Sequence, residues 1–123
     1  MDRQAPESLA AEPFCNLTTR GRTSGRRRTI EIWFALRQGT VYMLSDGGTR
    51  SHWVRNLLQD PNVEVTIGGA TFAGRARTVE AEAEDGLARR LLLAKYEPSY
   101  GGDLSGWGRT ALPVAVDLSQ DRS

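Results

Sequence analysis

Apolar and polar positions alternate along this chain in several short runs, and only two stretches follow helical spacing. Phe14 to Thr19 reads as a first strand. Ile30, Ile32, Phe34 and Leu36 alternate with Glu31, Trp33 and Ala35, which predicts one continuous strand with a single core-facing side. Arg37-Gln38-Gly39 suits a hairpin loop, with Val41-Tyr42-Met43-Leu44 as the partner strand. Val63, Val65 and Ile67 make another strand, and Gly68-Gly69 a tight turn. Thr71 to Glu80 then returns with Phe72, Gly74 and Ala76 on one side and Arg75, Arg77 and Val79 on the other. Leu112 to Leu118 closes the set.

Of the two helical stretches, the first places Trp53, Val54, Leu57 and Leu58 on one face, with His52, Arg55, Asn56 and Gln59 opposite; Asp60-Pro61-Asn62 ends it. The second runs from Asp85 to Tyr96, with Leu87, Ala88, Leu91, Leu92 and Tyr96 as its buried stripe and Pro98 as its stop. Tyr100 to Thr110 is Gly-rich and reads as irregular. Hairpin connections imply mainly antiparallel pairing, and a sheet of this size hides its edges by curling. The expected fold is mainly β, of the α+β kind: a small barrel of about six mostly antiparallel strands with two or three peripheral helices. Its domain covers residues 14–118, between a flexible tail at residues 1–13 and a short one at 119–123.

Composition changes this picture only in places. A chain of 123 residues fits one domain with its own core, and 13 glycines favour a turn-rich β architecture. Cys15 is the only cysteine, which excludes an intrachain disulfide and a cysteine-based zinc site and suits a reducing cytoplasm. His52 is the only histidine, so a multi-histidine metal site is excluded too. The first thirteen residues lack the apolar stretch of a signal peptide. No apolar run approaches the roughly 20 residues that span a bilayer, which leaves weak peripheral contact as the expected limit of membrane association.

Charge is more telling. The net charge is only +1, yet five arginines fall between Arg20 and Arg28, interleaved with Gly21, Thr23, Ser24 and Gly25. Guanidinium forks, hydroxyls and turn amides suit an anion such as phosphate or carboxylate. A solvated basic turn or an RNA contact would use the same residues, although a nucleic-acid binder is usually basic overall. No Gly-Lys-Ser/Thr closes the loop, so it is not a Walker loop. A second Gly-rich loop, Ser45 to Arg50, leads into the first helix, where Arg50, Ser51 and His52 add donors near a positive helix end. Ser51 also suits a plain helix cap. Glu80, Glu82 and Glu84, at period two, read as a solvated strand edge. No nucleophile elbow is present. Without metal or hydrolytic chemistry of its own, an enzyme of this sequence would need an organic cofactor. Tyr96, Tyr100 and Trp107 lie where they would cover the core or a planar ligand; a phenol there can also donate a proton.

In order, Leu17-Thr18-Thr19-Arg20-Gly21-Arg22-Thr23-Ser24-Gly25, Ser45-Asp46-Gly47-Gly48, Trp53-Val54-Arg55-Asn56-Leu57, Asp60-Pro61-Asn62-Val63, Ile67-Gly68-Gly69, Ala76-Arg77 and Leu112-Pro113-Val114-Ala115-Val116 resemble the deazaflavin-dependent nitroreductase and quinone-reductase family of split β-barrel flavin-binding oxidoreductases. The resemblance implies a cytoplasmic F420H2-dependent reductase that passes hydride to a quinone, nitroarene or activated alkene. The F420 tail carries a phosphate and glutamates, and its deazaflavin ring delivers the hydride. By resemblance Arg20, Arg22, Thr23, Ser24, Gly25 and Arg26 hold the tail, and Met43, Leu44 and Ser45 lie along the ring. Arg50, Ser51, His52, Trp53, Arg55 and Asn56 complete the cofactor set, with Arg50 where the family commonly has lysine. Tyr96, Tyr100 and Trp107 are the candidate acceptor pocket. FMN is the alternative cofactor, a non-enzymatic carrier or small nucleic-acid-binding barrel the alternative role, and a homodimer the expected form of any assembly.

Overall fold

A computed structural model describes residues 7–119. Residues 1–6 and 120–123, which belong to the expected tails, lie outside the described residues. Seven strands form one antiparallel sheet: β1 (Cys15–Arg20), β2 (Arg27–Ile32), β3 (Ala35–Arg37), β4 (Thr40–Ser45), β5 (Asn62–Ile67), β6 (Ala70–Thr78) and β7 (Leu112–Leu118). Three helices accompany them: α1 (His52–Gln59), α2 (Glu82–Tyr100) and α3 (Ser105–Thr110). The spatial order is β2-β1-β5-β6-β7-β4-β3. Its two outermost strands are consecutive in the chain and are joined only by Trp33 and Phe34. The sheet therefore curls until its edges meet at that step, the architecture of a split barrel.

The single strand expected over residues 30–36 is thus two strands. The break has a local cause. Phe34 has its N–H donated to the Tyr96 hydroxyl (3.0 Å), and its carbonyl accepts from Lys95 Nζ (2.9 Å). Two adjacent side chains of α2 thus take the backbone groups that a strand partner would have used. The alternation of faces survives the break. Phe34 and Leu36, with Ile30 and Ile32 beside them, pack into the barrel interior with Leu17, Met43, Val65 and Val116. Trp33 and Ala35 face the second core, where α2 covers Tyr42, Leu44 and Ala115 with Ala88, Leu92 and Tyr96.

Helix α2 begins earlier and ends later than its apolar stripe suggests. It runs through Pro98 and stops at Gly101, which has φ of 80°. Proline so near the end removes one hydrogen bond and bends nothing that must continue. Glu82 and Glu84 are therefore in its first turn, not on a strand edge. Glu84 receives two bonds from Arg77 (2.7 and 2.8 Å) and one from the Tyr42 hydroxyl (2.8 Å). The Arg77 guanidinium holds its carboxyl down to about 2. The pair ties the start of α2 to β6 and β4.

The segment expected to be irregular contains the end of α2 and all of α3. Gly108 shows why glycines sit in a helix here: a Cβ on it would stand 2.6 Å from Leu93 Cδ1, so α3 lies against α2 closer than alanine allows. On α1 the buried arc is Asn56, Trp53, Leu57 and Val54; Leu58, expected inside, is 53% exposed, while Asn56, expected outside, is 4% exposed. Residues 7–11 form a 3-10 turn whose Leu9 and Ala10 pack on the barrel core.

Candidate functional site

Two cavities open side by side and share Trp53 as a common wall. The first, of about 580 Å³, is an aromatic cleft. Phe14, Trp33, Trp53, Tyr100 and Trp107 line it with Ile32, Leu44, Leu104, Ser45, Ser51, Glu31, Asp46 and Gly47. The second, of about 840 Å³, is a basic groove along the β1–β2 hairpin and the side of α1. Thr19, Gly21, Arg22, Thr23, Ser24, Arg27, Arg28, Thr29, Ile30, His52 and Asn56 line it with Trp53.

The groove is shaped by its own loop. Gly21 N–H donates to the Arg26 carbonyl (2.7 Å) and Gly25 N–H to the Gly21 carbonyl (2.8 Å), while Gly25 takes φ of 72°. Ser24 Oγ accepts from the Arg26 amide (3.1 Å). Buried Asn56 fixes the first arginine: its Oδ1 accepts from both Arg22 N–H (3.2 Å) and Arg22 Nη1 (2.9 Å), and its Nδ2 donates to Thr19 Oγ1 (3.2 Å). Arg22 Nη2 lies 3.1 Å from His52 Nδ1, a bond that requires the His52 proton on Nε2. Arg27 is paired with Glu64, and Arg20 with Asp60 (3.7 Å) and the Gly25 carbonyl (3.0 Å).

The cleft is held by aromatic packing. Trp33 stacks on Tyr96 at 4.3 Å and 3°, and meets Trp107 edge-on at 5.6 Å and Tyr100 at 6.0 Å. Offset and edge-on geometries of this kind add to the area they bury. The Tyr96 hydroxyl also shares its proton between the carbonyls of Pro13 (2.9 Å) and Phe34 (3.1 Å), and burial pushes it up to about 12. On the far wall Ser45 Oγ donates to the Gly48 carbonyl (3.0 Å) and lies 2.8 Å from Ser51 Oγ. A Cβ on Gly47 would stand 2.6 Å from Ser51 Oγ and would displace that hydroxyl from its place beside Ser45.

The expected site residues divide accordingly. Arg22, Thr23, Ser24, His52 and Asn56 come together on the groove, Leu44, Ser45, Ser51, Tyr100 and Trp107 on the cleft, and Trp53 on both. Gly25 shapes the hairpin. Arg20, Arg26, Arg50 and Arg55 are exposed and are not on either wall. Met43 is fully buried in the barrel, since its neighbour Leu44 takes the opposite face. Tyr96 stands behind Trp33 and does not line the cleft. Sequence reasoning missed Trp33, Glu31, Asp46 and Phe14 in the cleft and Arg27, Arg28 and Thr29 in the groove. The outward parity of Glu31 and Trp33 was a usable signal, as was the inclusion of Arg27 and Arg28 in the arginine run.

Chemically, the cleft offers flat apolar walls to a planar ring and the groove offers guanidinium, hydroxyl and amide donors to a chain of anions. Comparisons with known proteins identify the family and the fold. Residues 3–119 match the sequence pattern of the F420H(2)-dependent quinone reductase family. No curated protein matches the chain. Among solved structures, an F420-H2 dependent reductase (FDR-A) is 27% identical with a TM-score of 0.66, the alignment covering 85% of this chain and 93% of that one. The heme storage protein HutZ of Vibrio cholerae has 19% identity, TM-score 0.66 and coverage of 89% and 84%. A FAD-binding protein of Mesorhizobium loti has 16% identity, TM-score 0.63 and coverage of 100% and 99%. The last two likenesses show the shared fold. Among the described residues no helix is long and apolar enough to cross a membrane.

Proposed function

This chain belongs to the F420H(2)-dependent quinone reductase family, and on that premise we propose that it transfers hydride from reduced coenzyme F420 to an electron-poor acceptor such as a quinone, nitroarene or activated alkene. One observation carries the reading: an aromatic cleft and an arginine-walled groove meet at Trp53. That pairing fits a planar ring joined to a polyanionic tail. When bound, the reduced deazaflavin supplies the hydride.

The chain's own residues supply position and enclosure. Arg22, already aimed by Asn56, holds tail anions together with Arg28, Thr23 and Ser24 through charge-assisted bonds. Arg20, Arg26, Arg50 and Arg55 add positive field around the groove without forming its wall. Trp53 fixes where ring gives way to tail. Leu44, Ser45 and Ser51 back the ring, while Tyr100 and Trp107 shape the acceptor side and exclude water. Tyr96 acts through Trp33 rather than on an acceptor, because its proton is committed to backbone carbonyls.

Titration of the purified protein with F420, FMN and a short RNA tests this. F420 is expected to bind tightest, with FMN weaker by about tenfold or more, because its single phosphate engages fewer of the arginines. Equal or tighter FMN binding transfers the protein to the flavin-binding branch of this fold, and tighter RNA binding removes it from redox chemistry. Turnover of F420H2 with menadione separates a reductase from a carrier, which would bind F420 and reduce nothing.

A further inference from the structure

The cleft and the groove carry opposite charge. Arg22, Arg27 and Arg28 are on the groove wall, and among the described residues no acidic one is. The cleft wall reverses this: among the described residues Glu31 and Asp46 are its only charged ones, and both are exposed. They reach the cleft from different sides of the sheet, Glu31 from β2 and Asp46 from the loop after β4. None of the ion pairs among the described residues uses either carboxylate. The rings of Trp33, Trp53 and Trp107 complete the wall, and low-dielectric walls strengthen the field of charges placed among them.

We propose that Glu31 and Asp46 are specificity-determining residues that make the cleft accept uncharged or cationic planar acceptors and reject those bearing a carboxylate or sulfonate. This rests on the reading of the cleft as the acceptor site. A like charge brought against two carboxylates is penalised, whereas a neutral ring keeps all of its stacking surface. Selection here comes from repulsion, since the aromatic walls are indifferent to the substituent.

The test uses the full chain, with and without F420, and two probes of similar shape: 1,4-naphthoquinone and 1,4-naphthoquinone-2-sulfonate. Binding is read from quenching of tryptophan fluorescence, corrected for probe absorption, so the result does not depend on turnover. At low salt the neutral quinone is expected to bind about tenfold more tightly than the sulfonate. The gap should narrow at high salt and close in the Glu31→Gln/Asp46→Asn double variant, through a gain in sulfonate affinity with quinone affinity unchanged. Both positions are exposed, and a thermal melt checks that the variant is folded. Equal affinities in the unaltered protein overturn the proposal, as does a gap that the double variant and salt leave intact. If neither probe binds, the acceptor-cleft reading itself fails; if the quinone binds but the discrimination is absent, only this inference does.

Discussion

The basic groove and the aromatic cleft are neighbours, yet they are built in opposite ways. The groove comes from one hairpin and one side of α1, and most of its polar side chains are exposed. The cleft draws on Phe14, residues 31–33 and 44–47, Ser51, Trp53, and the end of α2 with Leu104 and α3. Its key ring, Trp33, is fixed from behind by Tyr96, which also holds the strand crossing at Phe34. Charge for binding can thus be placed on a local loop with little effect on the fold. A flat pocket has to be assembled from distant segments and belongs to the core. Substitutions in the groove should therefore change affinity, and those behind the cleft should change stability.

The largest effect is expected behind the cleft. Tyr96→Ala removes a stacked ring and a hydroxyl that satisfies Phe34 N–H, and should cost about 3 kcal/mol of stability in chemical denaturation. Tyr96→Phe keeps the ring and should cost about 1–2 kcal/mol, by leaving that N–H unpaired. A Tyr96→Ala protein of normal stability that had lost only turnover would break the comparison and return Tyr96 to the chemistry.

In the groove the signs reverse. Arg22→Ala should weaken F420 binding by about tenfold or more, the loss of a charge-assisted bond of about 1.5–3 kcal/mol, with little change in melting temperature. The loss should shrink at high salt, because exposed charges are screened. Arg26→Ala should do less, since Arg26 is outside the groove wall. Equal losses at both positions would mean that the loop acts as diffuse positive charge and not as a built cradle.

The same contrast explains what was legible in the sequence. The hairpin arginines, Thr23 and Ser24 are contiguous, so their shared site could be read directly. Alternation likewise gave the faces of Ile30 through Leu36, even where the strand breaks. The break could not be read, because its cause lies some sixty residues away at Lys95 and Tyr96. Trp33 was missed for the same reason: only α2 and α3, arriving late in the chain, turn its outward face into a cavity wall. Asn56 looked like a polar-face residue because helical periodicity reports hydrophobicity, and this buried position is filled by an amide bonded to Arg22 and Thr19. Pro98 suggested a stop that a last helical turn does not need to obey.

Smaller effects are expected at the cleft's open side. Trp107 is half-buried and touches Trp33 edge-on. Trp107→Ala should lower stability by about 1–2 kcal/mol and lower turnover with menadione as well. Tyr100 is 54% exposed, so Tyr100→Phe should leave both stability and F420 affinity unchanged. Its effect should be confined to a few-fold change in kcat or acceptor preference. Normal kinetics in a destabilised Trp107→Ala protein would remove α3 from the active site and make it a plug for the outer core.

The smallest effect tests the claim that charge costs little in the groove and more behind the cleft. Lys95 donates to the Phe34 carbonyl and lies 3.7 Å from the centre of the Phe34 ring. Burial lowers it from 10.5 to about 8, against the opposing pull of Glu12. A lysine with a lowered value is charged at a cost to the fold below pH 8. Above that pH the folded protein releases the proton while the unfolded chain still holds it, so stability rises with pH up to 10.5. Within the single pH unit from 8 to 9 the gain is limited to on the order of 0.5 kcal/mol, since Lys95 is half-exposed and solvent screens it. Beyond pH 9 the buried Cys15 thiol, pushed up to about 12, opposes the rise, because the unfolded chain then ionises first. Urea midpoints of the parent protein and Lys95→Met at pH 7, 8 and 9 isolate the term. The parent should gain on Lys95→Met as pH increases; a difference that stays constant would show that Lys95 is solvated as freely as the groove arginines.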